Sequence, residues 1–93
     1  MNVGQAIKAL RRKRNMTQGE LASCVGMSVN AVSSWELGKS FPSNGSIKLV
    51  CDALNIPVSY LMLFTVEEKD VPGDKRAIYN AFFEPLKDEL LRK

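Results

Sequence analysis

The stretch that decides the fold of this chain is TQGELASCVGMSVNAVSSWELGK, residues 17–39. It begins with Thr17, and Glu20 follows three residues later, which is the spacing of a capping box at a helix start. Gly26 can adopt the left-handed backbone that ends a helix without the steric cost of a Cβ atom. Ser28 is a favoured residue at the start of the next helix. The segment is therefore predicted to form two short helices joined by a tight turn.

Apolar residues recur at helical spacing on both sides of this turn. They are Leu21, Ala22 and Val25 before it and Ala31, Val32 and Trp35 after it. This spacing gives each helix one apolar face and assigns Trp35 to the core rather than to a stacking site. A helix, a glycine turn and a second helix form the geometry that presents one helix to the major groove of DNA.

The remaining pattern predicts an all-α chain with no strand and no repeat. The predicted helices cover residues 2 or 3 to 14, 17–25, 28–37, 44–54 and 58–64. Ser43 or Asn44 is expected to cap the fourth helix, and Asn55 is expected to end it in a left-handed conformation. Pro57 lies at the entry to the fifth helix, where its missing N–H costs nothing.

The chain divides into a helix-turn-helix domain (residues 1–64), a polar linker (residues 65–76) and a helical tail (residues 77–93). The tail carries an apolar stripe at intervals of four residues, formed by Ile78, Phe82, Leu86 and Leu90. Pro85 is expected to kink this helix or to split it in two. The stripe needs a partner surface, which can be the domain itself, a second subunit or another protein. Self-pairing is the preferred interpretation, because it would make the tail a dimerisation element.

Charge and composition indicate a polyanionic partner. The net charge is +3, and residues 1–64 carry seven basic against three acidic residues while residues 65–93 carry six against seven. The basic excess therefore lies in the segment with the helix pair. No apolar run approaches the roughly 20 residues of a membrane helix, and the first residues do not have the pattern of a signal peptide. These features predict a cytoplasmic protein that does not enter a membrane.

The reactive side chains predict neither catalysis nor a metal site. The chain has two cysteines, Cys24 and Cys51, and no histidine, so a zinc site would be two ligands short of the usual four. Both thiols are expected to be small buried groups without a disulfide. No nucleophile elbow, phosphate-binding glycine loop or carboxylate pair is present, so the chain is predicted not to be an enzyme and to need no cofactor.

Several motifs in a continuous register resemble a known family. They are I-K-A-L-R (7–11), T-Q-x-E-L-A (17–22), V-G-M-S (25–28), W-E-x-G-K (35–39), P-S (42–43), A-L-N-I (53–56) and Y-L-M (60–62). Over roughly residues 3–64 the chain resembles the phage-repressor-like helix-turn-helix domain of bacterial Xre/Cro-type regulators. The resemblance implies a lambda-repressor-like fold of five helices around one core. It also implies binding to operator DNA, mostly as a dimer, and regulation or repression of transcription.

The resemblance also assigns roles to individual residues. Gln18 matches a position that usually contacts the DNA backbone or an edge base, and residues 28–34 match the reading face of the recognition helix. Arg11 and Glu36 match a pair that forms a partly buried ion bridge between the first and third helices. This chain departs from the family in having no Arg or Gln on the reading face, and in having Leu37 where a polar residue is more usual.

The chemistry of the predicted DNA-binding residues divides them into two groups. Asn30 can read adenine with two hydrogen bonds, Val29 can contact a thymine methyl group, and serines specify a base only weakly. Phosphate contacts are expected from the start of the second helix and from the loop after the third. The full predicted set is Thr17, Gln18, Ser28, Val29, Asn30, Ser33, Ser34, Lys39 and Ser40. An idle solvated surface is the alternative for the Ser, Val and Asn face, as is a solvated helix end for Arg12, Lys13 and Arg14.

Two functions are consistent with these features. The first is a sequence-specific transcriptional regulator, a repressor that binds double-stranded DNA as a homodimer on a near-palindromic operator through its third helix. The second is an antitoxin-like or anti-repressor module that binds a protein partner through the C-terminal helix.

Overall fold

The computed structural model describes residues 2–92, apart from the side chains of Glu68 and Leu90, and these residues form helices and turns without a strand. The first five helices are α1 (Val3–Lys13), α2 (Gln18–Val25), α3 (Val29–Glu36), α4 (Asn44–Leu54) and α5 (Val58–Leu63). The 3₁₀ turns Glu68–Asp70 and Gly73–Lys75 follow, and then α6 (Arg76–Ile78), a π-helical turn (Tyr79–Phe83) and α7 (Glu84–Leu91). The prediction of an all-α chain with a C-terminal helix is confirmed. The ends of the predicted domain and tail, residues 1 and 93, lie outside the described residues.

The helix-turn-helix segment begins and ends through the predicted caps. The backbone N–H of Glu20 donates to Thr17 Oγ1, and the backbone N–H of Thr17 donates to Glu20 Oε1, each at 3.0 Å. Gly26 has a φ of 67° and ends α2 in the left-handed region. Ser28 Oγ then accepts the backbone N–H of Ala31 at 3.1 Å and starts α3. These local bonds satisfy helix-end groups that would otherwise lose their partners on folding.

The caps of α4 also follow the sequence. Ser43, rather than Asn44, is the N-cap, and its Oγ accepts the backbone N–H of Ser46 at 3.1 Å. Asn55 ends the helix in the left-handed region with a φ of 56°. Asn15, between α1 and α2, has the same φ of 56° and was not predicted.

One core joins the five helices of the domain. Its fully buried side chains include Ile7, Leu21, Val32, Val50, Leu54 and Leu61. Trp35 is 5 % exposed and belongs to this core, as its spacing predicts. The core places α2 and α3 against α1 and α4, so the turn between α2 and α3 is held at a defined position on the surface.

The predicted burial of both cysteines is half correct. Cys51 is 1 % exposed, and burial raises the pKa of its thiol. Cys24, however, is exposed, and both thiols are unpaired. The prediction was wrong for Cys24 because the buried face of α2 is centred between Leu21 and Val25, and Cys24 lies beyond the edge of that face.

The backbones of α1 and α3 approach each other closely at Gly4 in α1. A Cβ atom built on Gly4 would lie 1.9 Å from the carbonyl oxygen of Trp35 in α3. Only a residue without a side chain allows the two backbones to come so near. The sequence alone does not indicate this contact, because a single glycine inside a helical pattern does not reveal which other helix it faces.

The tail is interrupted just before Pro85, as expected. The π-helical turn ends at Phe83, two residues before Pro85, which lies in the first turn of α7. Proline lacks the N–H of the normal helical bond, and its ring crowds the carbonyl four residues earlier. A π turn is wider than an α turn and leaves room for the ring.

The tail lies against α1, but not through the predicted apolar stripe. Tyr79 is 2 % exposed and Leu91 packs against the core, whereas Ile78, Phe82 and Leu86 are 59 %, 67 % and 47 % exposed. Leu90, the fourth member of the stripe, has a side chain outside the described residues. The three described members of the stripe, Ile78, Phe82 and Leu86, are therefore on the surface of the protein.

We expect the substitution Gly4→Ala to destabilise the domain by about 3 kcal/mol, because an added methyl group must push α1 and α3 apart. The matched control is Gly45→Ala in the first turn of α4, where a Cβ atom meets only Ser43 Oγ, at 4.0 Å. The free energy of unfolding of that variant should rise by up to about 1 kcal/mol, because alanine has a higher helix propensity than glycine. Urea unfolding of both variants measures the two effects. Equal midpoints would show that the close approach at Gly4 does not contribute.

Candidate nucleic-acid interface

The first turns of α2 and α3 lie next to each other on the surface. A Cβ atom on Gly19, in the first turn of α2, would be 3.9 Å from Cγ2 of Val29 in the first turn of α3. Both turns begin at a capped N-terminus, Thr17 for α2 and Ser28 for α3. The structure thus brings the beginnings of the two predicted DNA-binding segments together.

The exposed part of α3 is its first turn. Ser28, Val29 and Asn30 are exposed, and Val29 retains 47 % of its surface. The Oγ of Ser28 is already used as the helix cap, whereas the amide of Asn30 has no hydrogen-bond partner among the described residues. Among these three residues, Asn30 therefore carries the polar group that is most available to a ligand.

The second turn of α3 is less accessible. Ser33 and Ser34 are half-buried. Ser34 Oγ lies 2.8 Å from Ser40 Oγ, and the backbone N–H of Lys39 donates to the Ser34 carbonyl at 2.9 Å. These bonds attach the loop after α3 to α3 itself, and they occupy hydroxyl groups that are predicted to contact DNA. Lys39 itself is exposed.

Arg11 and Glu36 form the predicted bridge between α1 and α3. Arg11 Nε is 2.7 Å from Glu36 Oε2, and Arg11 Nη2 is 3.0 Å from Glu36 Oε1. The third nitrogen, Nη1, donates to the backbone carbonyl of Met16 at 2.6 Å. Both charged residues are only 7 % exposed, so they form a buried bidentate ion pair.

Gln18 joins this pair from the start of α2. Its Nε2 donates to Glu36 Oε1 at 3.1 Å. The side chain predicted to contact DNA is therefore turned towards Glu36, and it connects α2 to the bridge between α1 and α3. Nothing in the local sequence indicates this bond, because Gln18 and Glu36 are far apart along the chain and meet only in the folded domain.

The protonation of the pair follows from these contacts. Burial by itself raises the pKa of Glu36, but hydrogen bonds from Arg11 and Gln18 outweigh it and hold the pKa below its ordinary value of 4.5. The hydrogen bond to Glu36 also raises the pKa of Arg11. Both groups are therefore charged at neutral pH, and each neutralises the buried charge of the other.

The basic end of α1 is partly used inside the protein. Lys13 Nζ donates to the backbone carbonyl of Arg92 in the tail, and Arg14 Nη2 lies 3.4 Å from the carbonyl of Asn55 at the end of α4. Arg12 is exposed. These contacts direct Lys13 and Arg14 towards the tail and α4, and they favour the interpretation of this segment as a helix end rather than as a reading element.

No group of three or more His, Cys, Asp or Glu residues is placed to hold a metal ion within residues 2–92. None of the helices in that range is long and apolar enough to cross a membrane.

Comparison with known proteins identifies the domain. The profile of the helix-turn-helix family HTH_3 matches residues 7–61, which include the ion pair and the exposed turn of α3. This chain belongs to that family. The resemblance drawn from the sequence motifs is thereby confirmed.

Curated relatives are named as regulators of several kinds. The chain is 29 % identical over 87 residues to the HTH-type transcriptional activator BcrR of Enterococcus faecalis, which covers 89 % of this chain and 43 % of that protein. It is 35 % identical over 81 residues to the immunity repressor protein of Bacillus phage phi105, and this match covers 87 % of this chain and 54 % of that protein. It is 39 % identical over 54 residues to antitoxin PezA of Streptococcus pneumoniae, and this match covers 58 % of this chain and 34 % of that protein.

This helix-turn-helix chain spans about half or less of the length of these three relatives. The names describe an activator, a repressor and an antitoxin. The property they share with this chain is therefore the helix-turn-helix domain and not one direction of regulation.

We expect Arg11→Met to destabilise the protein by about 3–5 kcal/mol, because it leaves the buried carboxylate of Glu36 without its cation. The matched control, Arg12→Met on the exposed side of α1, should change stability by no more than about 0.5 kcal/mol. The double variant Arg11→Met/Glu36→Met should recover most of the loss, since two apolar groups need no counter-charge. Chemical unfolding compares the three proteins, and a double variant as unstable as the single one would contradict this account.

The lowered pKa of Glu36 predicts a pH dependence of stability. Its folded-state pKa lies below its ordinary value of 4.5, so its contribution to stability is complete above that value. The contribution is lost as the pH falls through the folded-state pKa. The difference in unfolding free energy between the wild type and Glu36→Gln should therefore be constant near neutral pH and shrink on acidification below about pH 4. A difference that is independent of pH would be inconsistent with the lowered pKa.

Proposed function

We propose that this protein is a sequence-specific DNA-binding transcriptional regulator that inserts α3 into the major groove of its operator. The observation that carries the proposal is the exposed first turn of α3, where Val29 and Asn30 project beside the start of α2. Membership of the helix-turn-helix family and the regulator names of its relatives support it. In this mechanism the protein needs no catalytic group and no cofactor.

Asn30 is the main specifying residue in this proposal. Its amide NH2 can donate to N7 of an adenine while its amide oxygen accepts from the N6 amino group. One such bidentate pair discriminates against a wrong base by about 1–3 kcal/mol. Val29 offers a methyl group to thymine. Ser28 and Ser33 can approach either base type and therefore add little discrimination. Ser34 contributes mainly by holding Ser40 in place.

Phosphate contacts position the domain and carry most of the salt dependence. The backbone N–H groups of Gln18 and Gly19, in the first turn of α2, have no carbonyl partner within the helix, and such groups suit a phosphate. Lys39 and Ser40 offer a second contact from the loop after α3. Because the Gln18 side chain is bonded to Glu36, its contribution is a backbone N–H group and the orientation of α2.

Two copies of the domain would read two half-sites. Recognition helices about 34 Å apart meet successive major grooves on one side of the duplex, which requires a near-palindromic operator. Occupation of such an operator represses transcription by excluding polymerase. In this proposal residues 1–64 bind DNA, residues 65–76 connect, residues 77–93 hold the dimer together, and the protein works in the cytoplasm.

A second candidate function is an antitoxin-like or anti-repressor module. The exposed apolar side chains of the tail favour it, since they offer a surface to another protein. The similarity to antitoxin PezA over 58 % of this chain is also consistent with it. Such a module would hold its partner through the C-terminal helix.

We expect selection from a pool of random duplexes to enrich one near-palindromic sequence with the wild-type protein. Asn30→Ala should lower the affinity for that sequence roughly tenfold to a hundredfold, because the bidentate base contact is lost. Asn80→Ala, an exposed amide in the tail, is the matched control and should bind as the wild type does. Affinities are measured by fluorescence anisotropy at two salt concentrations, and all three proteins should show the same steep salt dependence.

Weak and unselective binding that Asn30→Ala leaves unchanged would overturn the operator-reading mechanism. Enrichment of an asymmetric single site would contradict the palindrome while leaving recognition by α3 in place.

A further inference from the structure

The domain contains a small cavity that the proposed DNA contacts do not use. It lies where the C-terminal end of α1 meets α5 and the turn between α4 and α5, and its volume is about 160 Å³. The described residues that line it lie outside the set predicted to contact DNA. The cavity is therefore a candidate for a second kind of binding site.

The inner surface of the cavity is apolar. It is formed by the buried side chains of Leu10, Leu54 and Phe64. Ile56 is half-buried and Tyr60 is exposed, so the cavity opens to solvent on their side. A cavity of about 150 Å³ with walls of Leu, Ile and Phe takes up a benzene molecule. The inner part of this cavity therefore suits an apolar group of about that size.

The charged residues among the described lining residues are both cations. Lys13 is half-buried and Arg14 is exposed. Neither one pairs with a carboxylate in the part of the chain that the structure describes. The electrostatic environment at this side of the cavity therefore favours an anion.

Most of the hydrogen-bond donors on these two cations remain available. The ammonium group of Lys13 has three N–H donors, and its acceptor within residues 2–92 is the backbone carbonyl of Arg92. The guanidinium group of Arg14 has five N–H donors, and its bond from Nη2 to the carbonyl of Asn55 is long, at 3.4 Å. A carboxylate can therefore bind both groups without displacing either bond.

We propose that this cavity binds a small apolar carboxylate. The hydrocarbon part of the ligand lies against Leu10, Leu54 and Phe64, and its carboxylate lies between Lys13 and Arg14. Burial of the hydrocarbon part supplies most of the affinity, and the charge-assisted hydrogen bonds orient the ligand and select an acid. The site is separate from α3, so the inference goes beyond the proposed DNA binding and does not rest on it.

The tail is attached next to this site. Lys13 binds the end of the tail through the Arg92 carbonyl. Nearer the start of the tail, Tyr79 Oη and Lys87 Nζ both donate to the backbone carbonyl of Val66, in the segment that follows α5. A carboxylate on Lys13 and Arg14 thus adds a link between α1 and the elements around the cavity. Because the ligand binds the folded protein only, it raises the unfolding temperature.

Titration of the full chain with phenylpropionate, followed by methyl NMR spectra, tests the site. The dissociation constant should be on the order of a millimolar, as expected for a ligand of this size, and the methyl signals of Leu10, Leu54 and Ile56 should shift. The alcohol analogue of phenylpropionate has the same ring and chain without the charge. It should bind roughly tenfold more weakly, because it cannot form the charge-assisted bonds. Acetate, which has no apolar body, should leave these signals unchanged.

Charge variants locate the carboxylate of the ligand. Lys13→Gln and Arg14→Gln should each weaken phenylpropionate binding by about fivefold to twentyfold and leave binding of the alcohol unchanged. Arg12→Gln is the matched control, since it removes the same charge from the same end of α1 at an exposed residue outside the described lining of the cavity. That variant should bind phenylpropionate within about twofold of the wild type.

A cavity-filling variant tests the apolar part of the site. Ile56→Phe places a larger side chain in the cavity and should abolish binding of both phenylpropionate and its alcohol analogue. Circular dichroism checks that this variant and the charge variants are folded. Undiminished binding of both compounds to a folded Ile56→Phe protein would contradict the proposed location.

Methyl signals of the lining residues that stay in place at tens of millimolar phenylpropionate would overturn the proposal, as would shifts confined to other parts of the chain. Equal affinities for the acid and the alcohol, or equal losses in Arg12→Gln and Arg14→Gln, would overturn the selection of a carboxylate by Lys13 and Arg14. Asn30→Ala should bind phenylpropionate as the wild type does. Failure of this site therefore leaves recognition of DNA by α3 standing, and failure of DNA recognition leaves this site standing.

Discussion

The buried pair between Arg11 and Glu36 is the interaction on which the helix-turn-helix geometry depends. The carboxylate of Glu36, at the end of α3, receives hydrogen bonds from Arg11 in α1 and from Gln18 at the start of α2. Arg11 also binds the carbonyl of Met16 in the turn before α2. One carboxylate thus fixes the end of α3 relative to both other helices. Because each partner would be costly to bury alone, the three elements can adopt only the arrangement that keeps all these bonds.

This arrangement buries the C-terminal end of α3 and exposes its N-terminal end. Trp35 and Glu36 are buried against α1, where Gly4 allows the backbones to touch, while Val29 and Asn30 project from the first turn. Rigidity at one end makes the position of the other end reproducible, which a reading helix needs. In the proposed complex, the absence of Arg, Lys and Gln from this face leaves the discrimination between bases mostly to Asn30. The proposed affinity therefore depends on phosphate contacts and on two domains acting together.

The tail applies the same principle with different chemistry. A lysine and a tyrosine bind a backbone carbonyl and so determine which side of the helix faces the domain. The apolar residues then face outward as a consequence of polar bonds. A purely apolar attachment would compete with the proposed dimer contact for the same side chains. A polar attachment on the opposite side lets the tail be attached and still offer an apolar surface.

The sequence by itself determined the helices, their caps and most of the core, because these depend on residues within one or two turns of each other. Thr17 with Glu20, Ser28 and Gly26 act locally, and the spacing of Trp35 is enough to place it inside. The family motifs extended this to the Arg11–Glu36 pair. Only the tertiary structure decided how Gly4, Gln18, Cys24, Ser34 and the tail are used, since each depends on which distant element lies opposite. Periodicity shows that a helix has an apolar face, but the polar bonds of Lys87 and Tyr79 decide where that face points.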